Sequence, residues 1–425
     1  MTGIKAGALV ALATAALAAA PGTAAAQGLD NTCVLALTKT DPATVNAAYP
    51  DEAAIYWIGA YHAIPGTRIR IDGDFPHARY MSFNVYDQVQ RPLDAIADVE
   101  LQPNDGSTNP FEPKAKRDAE PRSYTAYIDF GPKPVNPEDR APNTLYTGTG
   151  QNGAPNLNGT FIYRIYTPDS GRDETGSVGL PTVTLQAEDG GPAPRSACAT
   201  FTKPTPPGGL NQQIAASNAD VPLPGFPPKP DVVWRKFTNL VDSYAAGFGQ
   251  NNDTTRSLGG NGGFLSNLHN AYLVARTSRE FGKVLVTRLR APSFPDTRDG
   301  AKKMPSGEVR YFSMCENELL SQRFIACRTD DQSVVGRDGF ITYVMSTPEN
   351  RPATATEACG ATWLPWGPAR SGLLIYRHML PAPDFAEAIQ FAEADREAET
   401  MGEYFPVSTY YADAGAYDRE VGCSG

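Results

Sequence analysis

"GTFIYRIYTP" occupies residues 159–168 and "GLLIYRHMLP" residues 372–381. Both begin with glycine, share an Ile-Tyr-Arg core and end on a proline four residues past the arginine. Working outward, further segments match in the same order. Residues 56–66 ("YWIGAYHAIPG") align without a gap to 272–282 ("YLVARTSREFG"), 78–87 ("ARYMSFNVYD") to 309–318 ("VRYFSMCENE"), and 124–132 ("YTAYIDFGP") to 340–348 ("FITYVMSTP"). Four matched segments in one order point to an internal duplication. In a strand successive side chains point to opposite faces. Arg79, Met81, Phe83 and Val85 therefore share one face, answered by Arg310, Phe312 and Met314. Tyr80, Ser82 and Asn84 share the other, answered by Tyr311, Ser313 and Cys315. The pattern predicts one face packed inward and one polar.

The fold expected is mainly β: two related antiparallel β-sandwich, jelly-roll-like domains with a linking helix and a C-terminal helix. Gly (39) and Pro (37) are abundant, and turn signals such as "DGD", "PNDGS" and "EDGG" break the apolar runs into strand lengths. Helical spacing is found in 231–249, behind the N-cap candidate Asp231, and in 383–400. Proline-dense stretches at 203–209 and 221–230 suit a semi-rigid linker. The expected partition is a signal peptide over 1–26, a first sandwich over 27–200, linker and helix over 201–265, and a second sandwich over 266–425.

Lys5, the apolar run "ALVALATAALAAA" and the small residues before Gln27 form a secretory signal pattern. The run is too short and alanine-rich for a membrane span, so the mature chain is expected to be soluble and secreted, extracellular or periplasmic. The six cysteines (Cys33, Cys198, Cys315, Cys327, Cys359, Cys423) then read as three disulfides. Short spacing favours Cys315 with Cys327, leaving Cys33–Cys198 and Cys359–Cys423 as the remaining arrangement preferred among fifteen possible pairings. The net charge of −10 argues against nucleic acid as a partner.

The order "RYMSFNVYD", a strand ending in proline, "TWLPWGP" (362–368) and "LIYRHMLP" resembles the C-terminal domain of a bacterial family of paired domains of unknown function, in two copies. In the first half "APNTLYTG" (141–148) stands where the Trp-Leu-Pro turn belongs. The resemblance implies an antiparallel jelly-roll-like fold and carries over no catalytic residue.

No Gly-x-Ser-x-Gly, P-loop or paired-histidine spacing occurs, so hydrolase, nucleotide and metal chemistry lack their usual signatures and no cofactor is expected. Oxygen-rich loops such as "DGD" (72–74) and "NND" (251–253) leave calcium open. The recurring arginines Arg79, Arg310, Arg164 and Arg377 suit either anion clefts or structural ion pairs with Asp87, Asp129 or Glu316. Residues that break the repeat have no shared structural job. Of the four histidines, His77 faces a charged loop in the second copy, His378 replaces Ile165, and His62 aligns with Ser278. Two readings follow. In the first, a small molecule or glycan sits in a cleft lined by Trp363 and Trp366, with Arg164, Arg310 and Tyr311 contributing. In the second, a metal-independent enzyme uses His77 or His378 as acid or base, with Arg79, Tyr80 or Arg377 fixing an anion. A structural envelope protein is the third.

Overall fold

The computed structural model describes residues 33–41, 43, 46, 48–88, 90–149, 153–198, 231–237, 265–319 and 321–423. The expected signal peptide and proline-rich linker lie outside them. The chain divides into two compact units, one of 1–45 and 55–209, the other of 46–54 and 210–425. The boundary differs from the expected one in an instructive way: nine residues inside the expected first sandwich, 46–54, belong to the second unit.

The first unit carries β1 (Cys33–Val34), β2 (Thr38–Thr40), β3 (Ala54–His62), β4 (Thr67–Asp74), β5 (Ala78–Asp87), β6 (Pro92–Ala97), β7 (Ser123–Asp129), β8 (Thr144–Tyr146), β9 (Asn158–Pro168) and β10 (Thr182–Ala187). They form two sheets, ordered β1-β10-β4-β7-β8 and β2-β3-β9-β5-β6. The second unit carries β11 (Trp234–Lys236), β12 (Asn270–Ser278), β13 (Val284–Arg290), β14 (Val309–Glu318), β15 (Phe324–Thr329), β16 (Phe340–Ser346), β17 (Ala361–Pro365), β18 (Ser371–Pro381) and β19 (Val407–Tyr411). Their sheets are ordered β11-β12-β18-β14-β15 and β17-β16-β13-β19.

Apart from β1, which has no counterpart in the second unit's sheets among the described residues, the strand order is the same in both units, down to the parallel pairs β7–β8 and β16–β17 among otherwise antiparallel neighbours. Ser82 faces Arg164 across β5–β9, and Ser313 faces Arg377 across β14–β18. The register between β5 and β6 shifts at Val85/Tyr86, and between β14 and β15 at the aligned Glu316/Asn317. Thr167 and Leu380, both just before the closing proline, share a positive φ of 48° and 43°, a conformation that strains a residue with a side chain. The opening glycines are equally constrained. A Cβ on Gly159 would lie 2.0 Å from the Tyr86 carbonyl oxygen, and one on Gly372 would lie 2.1 Å from Glu316 Oε1.

One alignment needs correcting. Pairing through the prolines sets Tyr124 against Phe340, but inward-facing Tyr124, Ala126 and Ile128 correspond to buried Ile341, Tyr343 and Met345. Asp129 pairs with Arg68, and Ser346 with Val284, which fixes the offset one residue further on. A one-residue slip reverses every face of a strand, so burial overrules the proline match.

Each unit closes its two sheets over a dry core. In the first, Phe83 of β5 stacks on Tyr163 at 4.9 Å and meets Tyr124 of β7 edge-on at 6.0 Å. In the second, Leu273, Phe312 and Tyr376 pack with Leu285, Ile341 and Tyr343. Each such side chain contributes roughly 1.5–3 kcal/mol on burial.

Helices are few. Residues 231–249 do not begin as a helix: Trp234–Lys236 pairs with β12 as a strand, and 238–249 lie outside the described residues. Within 383–400 there is only a 3-10 turn at Ile389–Phe391 and the start of a short helix, Glu397–Met401; a C-terminal helix spans Ala414–Glu420. Disulfides join Cys315 to Cys327 and Cys359 to Cys423, and Cys33 is also disulfide-bonded. The Cys198 side chain lies outside the described residues. No described helix is long and apolar enough to cross a membrane.

Candidate functional site

The shared arginines serve the scaffold. The face of β5 and β14 expected to be polar is not wet: Tyr80, Ser82, Asn84, Tyr311 and Ser313 are all fully buried. Alternation distinguishes two faces but does not say which meets water. In the second unit the segment 46–54 covers that face. Asp51 accepts from the Tyr311 hydroxyl at 2.8 Å and the Ser313 hydroxyl at 2.6 Å, with Arg377 Nη1 at 3.7 Å. Arg377 also donates to the Tyr49 carbonyl at 2.7 Å and lies over the Tyr272 ring at 5.7 Å. Asn46 exchanges two hydrogen bonds with the backbone of Phe324. Arg164, the partner of Arg377 in the repeat, lies over the rings of Tyr56 and Tyr86, each at 5.5 Å. Arg79 is fully buried and Arg310 half-buried at the strand starts. Of the acids considered for these arginines, Asp87 binds Arg91 and Asp129 binds Arg68, and an acid beside Arg377 is Asp51.

The aromatic candidates do not line a common cleft. Trp366 is buried and stacks on Tyr410 at 6.4 Å, whereas Trp363 donates to Ser346 Oγ at 3.0 Å beneath Arg351. Among the described residues Asp51, Cys315 and Cys327 bring three potential metal donors together, but both sulfurs belong to the disulfide. Of the oxygen-rich loops, Asp72 is engaged by Arg70 and Thr125; 251–253 lie outside the described residues.

The histidines separate sharply. His378 is fully buried, its Nε2 2.8 Å from the Tyr376 hydroxyl and its Nδ1 accepting from the Ile389 N–H at 3.3 Å. Burial holds its imidazole down at about 3. His62 lies at the surface against Asn158.

His77 stands at the mouth of the first sandwich, half-buried, in the turn between β4 and β5. Its N–H donates to the Gly176 carbonyl and its carbonyl accepts from the Asp169 N–H, which pins the loop after β9 over it. Arg122, immediately ahead of β7, reaches the ring: Nη1 is 2.6 Å from Nε2. Arg122 is itself 2% exposed. Its carboxylate neighbour is Glu120, 3.6 Å away with a side chain 63% exposed, and its Nε has no partner. Arg117 pairs with Asp169. Burial, then the charges of Arg122 and Arg172, holds His77 down at about 4. Burial likewise lowers the Arg122 guanidinium.

Three arginines, two acids and a neutral imidazole thus converge, and the most buried cation is the least compensated. A buried charge is expensive unless paired, and an exposed carboxylate at this range offsets little of that. Arg122 breaks the repeat in either register, but among the unshared residues the sequence singles out only the histidines as candidates. The corrected register sets it against Gly339, and His77 against Glu308. Both are unshared.

No family model matches the chain, and no curated protein matches it. Among solved structures it is similar to an uncharacterized protein from Burkholderia cenocepacia, with 11% identity, 89% of this chain and 81% of that one covered, and a TM-score of 0.48. A protein from Vibrio parahaemolyticus matches with 11% identity, 87% and 92% coverage, and a TM-score of 0.39.

Proposed function

We propose that the protein is an exported, doubled jelly-roll-like binding protein, and that its first unit takes up a small organic anion at Arg122 and His77. The observation that carries this is the buried, under-compensated guanidinium of Arg122, with an unpartnered Nε, against the half-buried His77. A guanidinium is a rigid fork matched to a carboxylate, and Arg117 and Arg172 add positive potential. Burying a ligand carboxylate there would complete a pair that the protein leaves incomplete.

An acid/base enzyme is the weaker reading. A general base works best with a pKa near the working pH, whereas His77 at about 4 is neutral and carries a cation against its acceptor nitrogen. His378 has no route to a substrate from the core. Export is supported by the N-terminal sequence pattern and by the disulfides.

Calorimetric titration with sodium lactate, using glucose as an uncharged control, tests the site. Arg122→Met is expected to weaken lactate binding at this site by tenfold or more, about 1.4 kcal/mol or above, while His77→Gln retains most of it. Unchanged binding in a folded Arg122→Met protein would overturn the proposal.

A further inference from the structure

The second unit breaks the repeat at a different place. Glu316 aligns with Val85, and Thr277 with Tyr61. In the first unit Tyr61 fills the space over Gly159, its hydroxyl donating to the Tyr86 carbonyl at 3.0 Å. In the second unit that space holds the Glu316 carboxyl and the Thr277 hydroxyl instead. Measured from a Cβ on Gly372, Glu316 Oε1 is at 2.1 Å and Thr277 Oγ1 at 2.9 Å. Both side chains are buried, and both Glu316 Oε2 and Thr277 Oγ1 lack a partner. Two neighbouring side chains that each bury an unsatisfied polar atom in a sandwich interior are a costly arrangement. The first unit shows that this fold is built without them.

At the same end of the second unit a polar cavity of about 390 Å³ is lined by Arg279, Glu280, Lys283, Thr347, Glu349, Asn350 and Arg370, with Glu316 and Thr277 buried behind that lining. The connection is set by register. Thr277 pairs with Gly372 across β12–β18, and Arg279 N–H donates to the Arg370 carbonyl two residues further on. Residues two apart share a face and lie roughly 7 Å apart along a strand. Arg279 and Arg370 sit just past the ends of β12 and β18, and the Arg279 charge acts on the Glu316 carboxyl, which sets the cationic rim next to the Glu316–Thr277 pair. Three cations face two acids there, one of them, Glu280, already bound to Arg370 at 2.8 Å. Glu316 also lies at the register shift of β14, a feature that recurs beside functional sites.

We infer that this end of the second unit is a second binding site, for a small carboxylate, held at the rim by Arg279, Lys283 and Arg370 and reached from behind by the Thr277 hydroxyl and the Glu316 carboxyl. Burial raises the Glu316 carboxyl well above the usual range, Arg279 opposing and Glu318 adding to the effect, so it has a proton to donate. Tyr410, the other titratable group beside it, is pushed up to about 12 and stays a phenol. The inference is independent of the Arg122 site.

Titration of the full mature chain with sodium lactate near pH 6 tests it, with glucose as control. Wild type is expected to bind two lactates, one per unit. Lys283→Ala with Arg370→Ala, both at the exposed rim, removes one site while Arg122→Met removes the other. Glu316→Leu weakens the second site about tenfold, about 1.4 kcal/mol, and Glu316→Gln, whose amide still donates, preserves it. Retention of two sites in the folded rim double variant, or full affinity in a folded Glu316→Leu protein, overturns the inference. Loss of the Arg122 site alone leaves it standing.

Discussion

The two units share strand order, register shifts and strained pre-proline residues, and they part company at the ends of their sandwiches. Where the first unit has Val85 and Tyr61, packed and satisfied, the second has Glu316 and Thr277, buried and unsatisfied. Where the second has Gly339 and Glu308, the latter bonded to Tyr404, the first sets Arg122 against His77. Shared side chains such as Arg164 and Arg377 are absorbed by the scaffold; the unshared ones carry uncompensated polarity. Both proposed sites lie where the two units differ.

The largest effect that sharpens this comparison concerns the acid beside a shared arginine. Asp51→Ala removes the acceptor of the buried Tyr311 and Ser313 hydroxyls and the carboxylate beside Arg377, and is expected to destabilise the second unit by about 3–5 kcal/mol. Calorimetry should show one transition lowered and the first unit's unmoved; two equal shifts would count against independent units.

Next comes acid. His378, free to titrate near 6.5 in the unfolded chain, is held near 3 when folded. The unfolded state therefore binds the extra proton first, and stability falls as pH drops from 6.5 toward 3, by up to roughly 1.4 kcal/mol per pH unit. His77 adds to the loss between 6.5 and about 4. A His378→Gln protein should show a shallower fall in melting temperature over the same window.

The aligned glycines should differ. Gly159→Ala drives a Cβ into the Tyr86 backbone, whereas Gly372→Ala meets the movable end of Glu316. Overpacking of about 1–3 kcal/mol is expected at Gly159 and less at Gly372, read from urea midpoints.

The smallest effect has the opposite sign. The folded state keeps the Glu316 proton that the unfolded chain releases above about 4.5, so stability falls as pH rises from there. Glu316→Gln should raise stability by about 1–2 kcal/mol at neutral pH and little at pH 4. A destabilised variant would mean that the carboxyl is satisfied.

The core strands were legible because period-two alternation and turn residues are local signals: β3, β5, β9 and their partners fall where the repeated segments lie. The strap at 46–54 was not, since its docking on β14 and β18 is a long-range pairing that no periodicity encodes. The helix read in 231–249 was an apolar spacing around Trp234, which pairing with β12 turns into a strand. At the sites, His77 was visible as a break in the repeat. Arg122 carries no local signal, because its burial beside His77 comes from tertiary packing, and Glu316, visibly an acid at an apolar position, reads equally well as an ion-pair partner.

The most direct measurement follows arginine side-chain Nε–H resonances by NMR during lactate titration. Arg122 is expected to shift saturably while Arg164 and Arg377 stay fixed. Movement of the two scaffold arginines with Arg122 unchanged would contradict the division between shared framework and unshared chemistry.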